Sequence, residues 1–160
     1  TFTGKIISSF EDALAAQVVL TAFIPMLMDT GGNSGNQVST LIIRGLALGD
    51  IKIKDYFKVL WKEIRVSFLC GVTLAAANLL RMSIPNFLPG WHTEMNVILV
   101  VCLSVSLTVM VAKIIGCTLP IIAKMMKLDP ALMAGPMITT IVDAVSLLIY
   151  FNLATVLLKL

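Results

Sequence analysis

The placement of charge constrains this chain more than any other feature. Its ionised residues gather into a few short islands, and long apolar runs lie between them. Val66 to about Leu80, Val97 to Ile122 and Ala131 to Leu158 are such runs, and Ala13 to about Leu48 is mostly apolar. Of the 160 residues, 58% are hydrophobic and 13% charged, and the mean hydropathy is +0.97. A soluble domain is about 25% charged, so the pattern excludes a water-soluble fold. It also excludes disorder, a disulfide-stapled module and a nucleic-acid binder, because the net charge of +3 forms no basic stripe of the kind nucleic acid requires. The remaining solvent is the lipid bilayer, which this length crosses four or five times at about 20 residues per span. One all-α domain over residues 1–160 is expected. Thr1 is not followed by the regions of a cleavable leader, which predicts that more sequence precedes it.

The charged islands predict the connections and their sides. Lys52, Lys54, Lys58, Lys62 and Arg65, with Tyr56, Phe57, Leu60 and Trp61 at helical spacing among them, read as a basic amphipathic linker on a membrane surface. Lys124 and Lys127 precede Asp129, while Pro85 to Glu94 holds neither Lys nor Arg. Positive residues stay inside, so segments 49–65 and 123–129 are predicted to be cytoplasmic. Glu11, Asp12, Pro85 to Glu94 and the C-terminus are then outside. Cys70, Cys102 and Cys117 match no metal or redox spacing and read as apolar filler. Trp91 and Tyr150 read as members of an interfacial aromatic belt, and His92 has no partner at ligand spacing. Ser104, Ser106 and Thr108 are expected to bond within the helices, and Lys113 to snorkel toward the cytoplasm.

Two spans carry polar residues that a lipid-facing helix does not tolerate. As one straight helix, Ala13 to Leu48 would reach about 54 Å against a hydrocarbon core of about 30 Å. Pro25, Gly31, Gly32 and Gly35 predict a break there, with Asp29, Asn33, Ser34, Asn36 and Gln37 beside it. Irregular backbone at membrane depth survives where it lines a wet cavity, so an ion or substrate site is expected. A polar loop outside the bilayer is the alternative. The last span is expected to start at Asp129 and Pro130, and within it Gly135, Thr139, Asp143, Ser146 and Tyr150 fall on one helical face. Pro136 leaves the carbonyl of Leu132 without a helical partner. Asp143 is placed near mid-depth, where an acidic group signals a pore, a relay or a paired site; a protonated interhelical bond or a salt bridge to Arg44 is the structural alternative.

At these residues the chain resembles the MgtE family of magnesium channels. The run Pro25-Met-Leu-Met-Asp-Thr-Gly-Gly-Asn-Ser-Gly-Asn-Gln37, followed by Leu41-Ile-Ile-Arg-Gly-Leu-Ala47, resembles the family signature. Asp129-Pro-Ala131, Gly135-Pro136, Thr139-Thr140, Asp143 and Tyr150-Phe151 resemble its last helix. The resemblance implies a five-helix transmembrane domain, its first helix largely missing here, that pairs into a homodimer in the cell membrane. Helices two and five of both copies would line a Mg²⁺ pore. Asp143 corresponds to the pore carboxylate, and Asn33, Asn36, Gly32, Thr139 and Gly135 fall on pore-facing stretches. Pro25, Asp29, Gly31, Gly35, Gln37, Pro136 and Thr140 are the accompanying lining or helix-break positions. The cytoplasmic N-terminal region and CBS pair of family members are absent from the chain. Mg²⁺ is small, prefers six oxygens and gives up water reluctantly, so a wide oxygen-lined passage suits it. An ion-coupled carrier and a membrane hydrolase using Asp29 with Asp143 are the competing functions. The carrier lacks an internal repeat and the hydrolase a nucleophile-base set, so no enzymatic activity is expected.

Overall fold

The computed structural model describes residues 2–10, 18–84, 94–133 and 135–159. Glu11, Asp12 and residues 85–93, with Trp91 and His92 among them, lie outside these. The described residues form five α-helices: α1 (Phe2–Ser8), α2 (Ile24–Leu48), α3 (Tyr56–Ser83), α4 (Met95–Met125) and α5 (Pro136–Leu158). No strand occurs among them. From α2 onward successive helices run antiparallel, and α4 lies at the centre against α2, α3 and α5.

The helices of residues 53–83, 95–125 and 136–158 are long and apolar enough to cross a membrane. The chain is an all-α membrane bundle. Its largest core cluster packs Leu27 of α2, Val97, Ile98, Val101 and Val105 of α4 and Leu147, Tyr150 and Phe151 of α5, with Phe10 stacked on Phe151 at 4.9 Å. Cys102 and Cys117 are buried, and all three thiols are free.

The structure revises the expected break. Residues 24–48 form one continuous helix of 25 residues, about 37 Å long. Pro25 stands in its first turn, where no carbonyl awaits its missing N–H, and a six-residue 3₁₀ turn, Val18–Phe23, leads into it. Gly31 and Gly35 are helical and buried, and they serve packing rather than bending. A Cβ at Gly31 would lie 2.8 Å from Thr108 Cγ2 and Val142 Cγ1, and one at Gly35 2.9 Å from Ile138 Cγ2. Gly116 faces Gly35 so closely that a Cβ there would meet the Gly35 carbonyl. Two glycines thus bring the backbones of α2 and α4 together, as small residues do between membrane helices.

The irregular backbone instead precedes the last helix. Asp129 Oδ1 accepts the N–H of Ala131 at 2.9 Å, the cap the sequence predicts, but it starts only a short 3₁₀ turn, Pro130–Met133. α5 proper begins at Pro136, because the residue before a proline is driven out of the α region. Gly135 takes φ 65° and ψ −117°, a conformation that a side chain would strain. The Leu132 carbonyl therefore never belongs to α5. Asp143 lies only about 10 Å along that helix, rather than the deeper position counted from Asp129.

Four more expectations change. The basic linker is not separate, since residues 56–83 are one 28-residue helix whose first turns carry Lys58, Lys62 and Arg65. Tyr150 is fully buried and donates to the Leu20 carbonyl at 2.9 Å, so it joins the core instead of an interfacial belt. Lys113 is 7% exposed in the middle of α4, with Nζ 3.7 Å from Cys70 Sγ, and does not snorkel. Ser106 bonds as expected, to the carbonyls of Gly71 and Cys102, both at 3.0 Å, whereas Ser104 and Thr108 are buried without a hydrogen-bond partner among the described residues.

Candidate functional site

α2 buries its glycine face and leaves a polar one outside. Gly31, Gly35, Val38, Ile42 and Leu46 are buried, while Asp29, Asn33, Gln37, Thr40 and Arg44 are exposed and Asn36 is half-buried. The spacing of these polar residues, three or four apart, is one stripe of a straight helix. The sequence reading overlooked Thr40 because it treated the segment as broken; read as a continuous helix, the same spacing places Thr40 on the stripe.

Where α5 crosses this stripe the two helices enclose a cleft of about 200 Å³, lined by Met28, Asp29, Gly32, Asn33, Thr139 and Asp143. Gly32 permits the crossing. A Cβ there would lie 3.2 Å from Thr139 Cγ2 and 3.9 Å from Asp143 Oδ1. Asn33 also borders a wider hollow of about 650 Å³ with Asn36, Gln37, Thr40 and Leu41. The two spaces form one polar groove along α2.

Hydrogen bonds decide what the groove offers a ligand. Thr139 Oγ1 donates to the carbonyls of Pro136 at 3.0 Å and Gly135 at 3.3 Å, and Thr40 Oγ1 donates to Asn36 at 2.9 Å. With their protons spent on the helix, both hydroxyls present lone pairs outward. Together with the Asp29 and Asp143 carboxylates they make an acceptor-rich wall, suited to a cation or to the water around one. Asn36 differs. Its Oδ1 accepts the Gly135 N–H at 3.1 Å, so its carbonyl fixes the start of α5 against α2.

The structure thus brings Asp143, Thr139, Asn33, Gly32 and Asp29 together, with Asn36 and Gln37 along the same groove. Gly135 joins through its N–H. Gly31 and Gly35 face the core, Pro25 is at the helix start, and Thr140 turns its hydroxyl to the Pro136 carbonyl at 2.7 Å. Ser146 and Tyr150 leave the predicted α5 stripe for the core. No group of three or more His, Cys, Asp or Glu side chains that would hold a metal occurs among the described residues.

Residues 24–153, which include both walls of the groove, match the MgtE family of divalent cation transporters. The chain belongs to the MgtE family. It is 36% identical over 157 residues to the magnesium transporter MgtE of Thermus thermophilus and 36% identical over 157 residues to that of Bacillus subtilis, covering 98% and 96% of this chain. The Enterococcus faecalis magnesium transporter MgtE is 26% identical over 157 residues, again 98% of the chain. In each case the match is 33% of the relative's length, so the chain spans about a third of the curated relatives it matches.

Proposed function

We propose that this chain is the membrane pathway of a Mg²⁺ channel, in which the α2/α5 groove of one copy faces that of a second. The observation that carries this reading is the groove itself. Asp29, Asn33, Gln37 and Thr40 are exposed on a helix inside an apolar bundle, and acceptors left in hydrocarbon cost several kcal/mol each. A twofold partner would turn that face into a water-filled passage and set two Asp143 carboxylates across it, matching the two charges of the ion. The magnesium transporters among the relatives support the choice of ion.

The groove's chemistry favours a hydrated ion. Mg²⁺ keeps several waters and is held by one or two carboxylates rather than a protein cage. Per copy the cleft offers two carboxylates, one carboxamide and one threonine hydroxyl, and the wider hollow adds room for a water shell. Charge and hydrated size would then govern passage. Two charges crossing 100 mV release about 4.6 kcal/mol, so inward flux needs no coupled ion. The segments 49–65 and 123–129 face the cytoplasm in this arrangement, and the membrane is the cell membrane.

Mg²⁺ uptake into liposomes holding this chain, under an imposed potential, tests the reading. Flux should follow the potential without a co-ion gradient and fall at least about tenfold in Asp143→Asn, the equivalent of 1.4 kcal/mol. Equal flux in parent and variant refutes the role of Asp143, and flux that requires a second ion gradient favours the carrier.

A further inference from the structure

The end of α2, the turn after it and the start of α3 carry the chain's charge imbalance. Arg44, Lys52, Lys54, Lys58, Lys62 and Arg65 are all exposed. Residues 44–65 hold three acids against these six cations, which accounts for the chain's whole net charge of +3. Two of the acids are engaged or covered. Asp55 Oδ2 accepts the Lys52 N–H at 3.0 Å, and Glu63 is 9% exposed, leaving Asp50 as the exposed anion of the segment.

These cations border two adjoining clefts. One, of about 380 Å³, has Arg44 and Lys62 at its polar side and Leu41, Leu48 and Val59 at its apolar side. The other, of about 430 Å³, is lined by Asp55, Lys58, Lys62 and Arg65 and shares Asp50, Ile51, Val59 and Lys62 with the first, which Glu63 also lines. Beside the basic row of α3 runs an aromatic one: Phe57, Trp61 and Phe68 are 78%, 60% and 58% exposed and share a helix face. A tryptophan exposed on a membrane helix sits at headgroup level, which puts Lys58 and Lys62, within one turn of Trp61, at the depth of the phosphates, while Phe68 lies about 10 Å further along the helix among the lipid chains.

We propose that this corner is a binding site for an anionic phospholipid, its phosphate held by Arg44, Lys58 and Lys62 and an acyl chain lying along Leu48 and Val59, with Trp61 on the exposed face of α3 beside the basic row. Charge complementarity selects the headgroup, and the exposed apolar rim selects a lipid over a soluble phosphate ester. Basic pockets between membrane helices bind anionic headgroups by this combination.

Trp61 is one of two tryptophans, so Trp91→Phe leaves it as the sole reporter in the full chain. Reconstitution with brominated phosphatidylglycerol or brominated phosphatidylcholine, as a minority in unlabelled phosphatidylcholine, reads which lipid occupies the corner. The anionic lipid should quench Trp61 about five- to tenfold more effectively, and Arg44→Gln with Lys58→Gln and Lys62→Gln should reduce the ratio to within about twofold. Raised salt should weaken the preference in the unsubstituted corner, which needs no variant to fold. Equal quenching by both lipids, a preference that survives the triple variant, or one indifferent to salt overturns the proposal. Displacement of the brominated anionic lipid by soluble glycerol phosphate would assign the site to a free anion, and shielding of Trp61 from both lipids would assign it to a protein contact; either result also overturns it.

Discussion

Replacing Gly116 by alanine is expected to destabilise the bundle by about 2 kcal/mol. The added methyl carbon would stand 3.0 Å from the Gly35 carbonyl carbon and 3.1 Å from Gly35 Cα, and closer still to the carbonyl oxygen. Both obstacles are backbone, so no rotamer change relieves them. α2 and α4 must separate, and a gap of 0.5 to 1 Å forfeits about a quarter to a half of each dispersion contact along the line. Overpacking of this kind costs about 1 to 3 kcal/mol, here at the upper end, while alanine's better helix propensity returns at most about 1 kcal/mol. Reversible unfolding of the micelle-solubilised chain measures the difference. Gly49→Ala is the control, since φ there is 79° but nothing lies within 4 Å, so it carries only a backbone cost of about 1 to 2 kcal/mol and moves no helix. A Gly116→Ala chain as stable as the parent would refute the claim that α2 and α4 touch at glycine.

Tyr150→Phe removes the donor to the buried Leu20 carbonyl and should cost about 1 to 3 kcal/mol in the same unfolding measurement, with little change in secondary structure by circular dichroism. Gly32→Ala presses on the Thr139 methyl from 3.2 Å and meets Asp143 Oδ1 only in ordinary contact at 3.9 Å, without touching backbone. It should lower stability by less than about 1 kcal/mol yet reduce Mg²⁺ flux severalfold, a split seen by running both assays on one preparation.

The sequence revealed the fold class because few charges in an apolar chain admit few solvents, and the charged islands begin or end at helix boundaries, although Lys58, Lys62 and Arg65 lie inside α3. It left the glycines of α2 ambiguous. Gly31 and Gly35 permit a bend and permit close packing equally, and residues far along the chain, Thr108, Ala112 and Gly116 on α4 and Ile138 and Val142 on α5, decide for packing. Pro25 is similar, harmless in a first turn and disruptive later. The restart of α5 was legible in Gly135-Pro136 but lost to the stronger local signal of Asp129-Pro130, which caps a turn rather than the helix. Helical spacing grouped Thr139 with Asp143, yet it also admitted Ser146 and Tyr150, because the stripe on α5 winds from the groove into the core as it passes Gly31. Lys113 was misread since nothing in α4 announces that α3 covers it.

If the groove lines a passage, water and cations reach Asn33. With Cys70, Cys102 and Cys117 replaced, a cysteine introduced as Asn33→Cys can be offered a membrane-impermeant cationic thiol reagent in liposomes, beside Val72→Cys on an exposed apolar face of α3. Position 33 should react, and more slowly with Mg²⁺ present, while position 72 stays inert. If position 33 is as unreactive as position 72, the polar face of α2 does not line a passage.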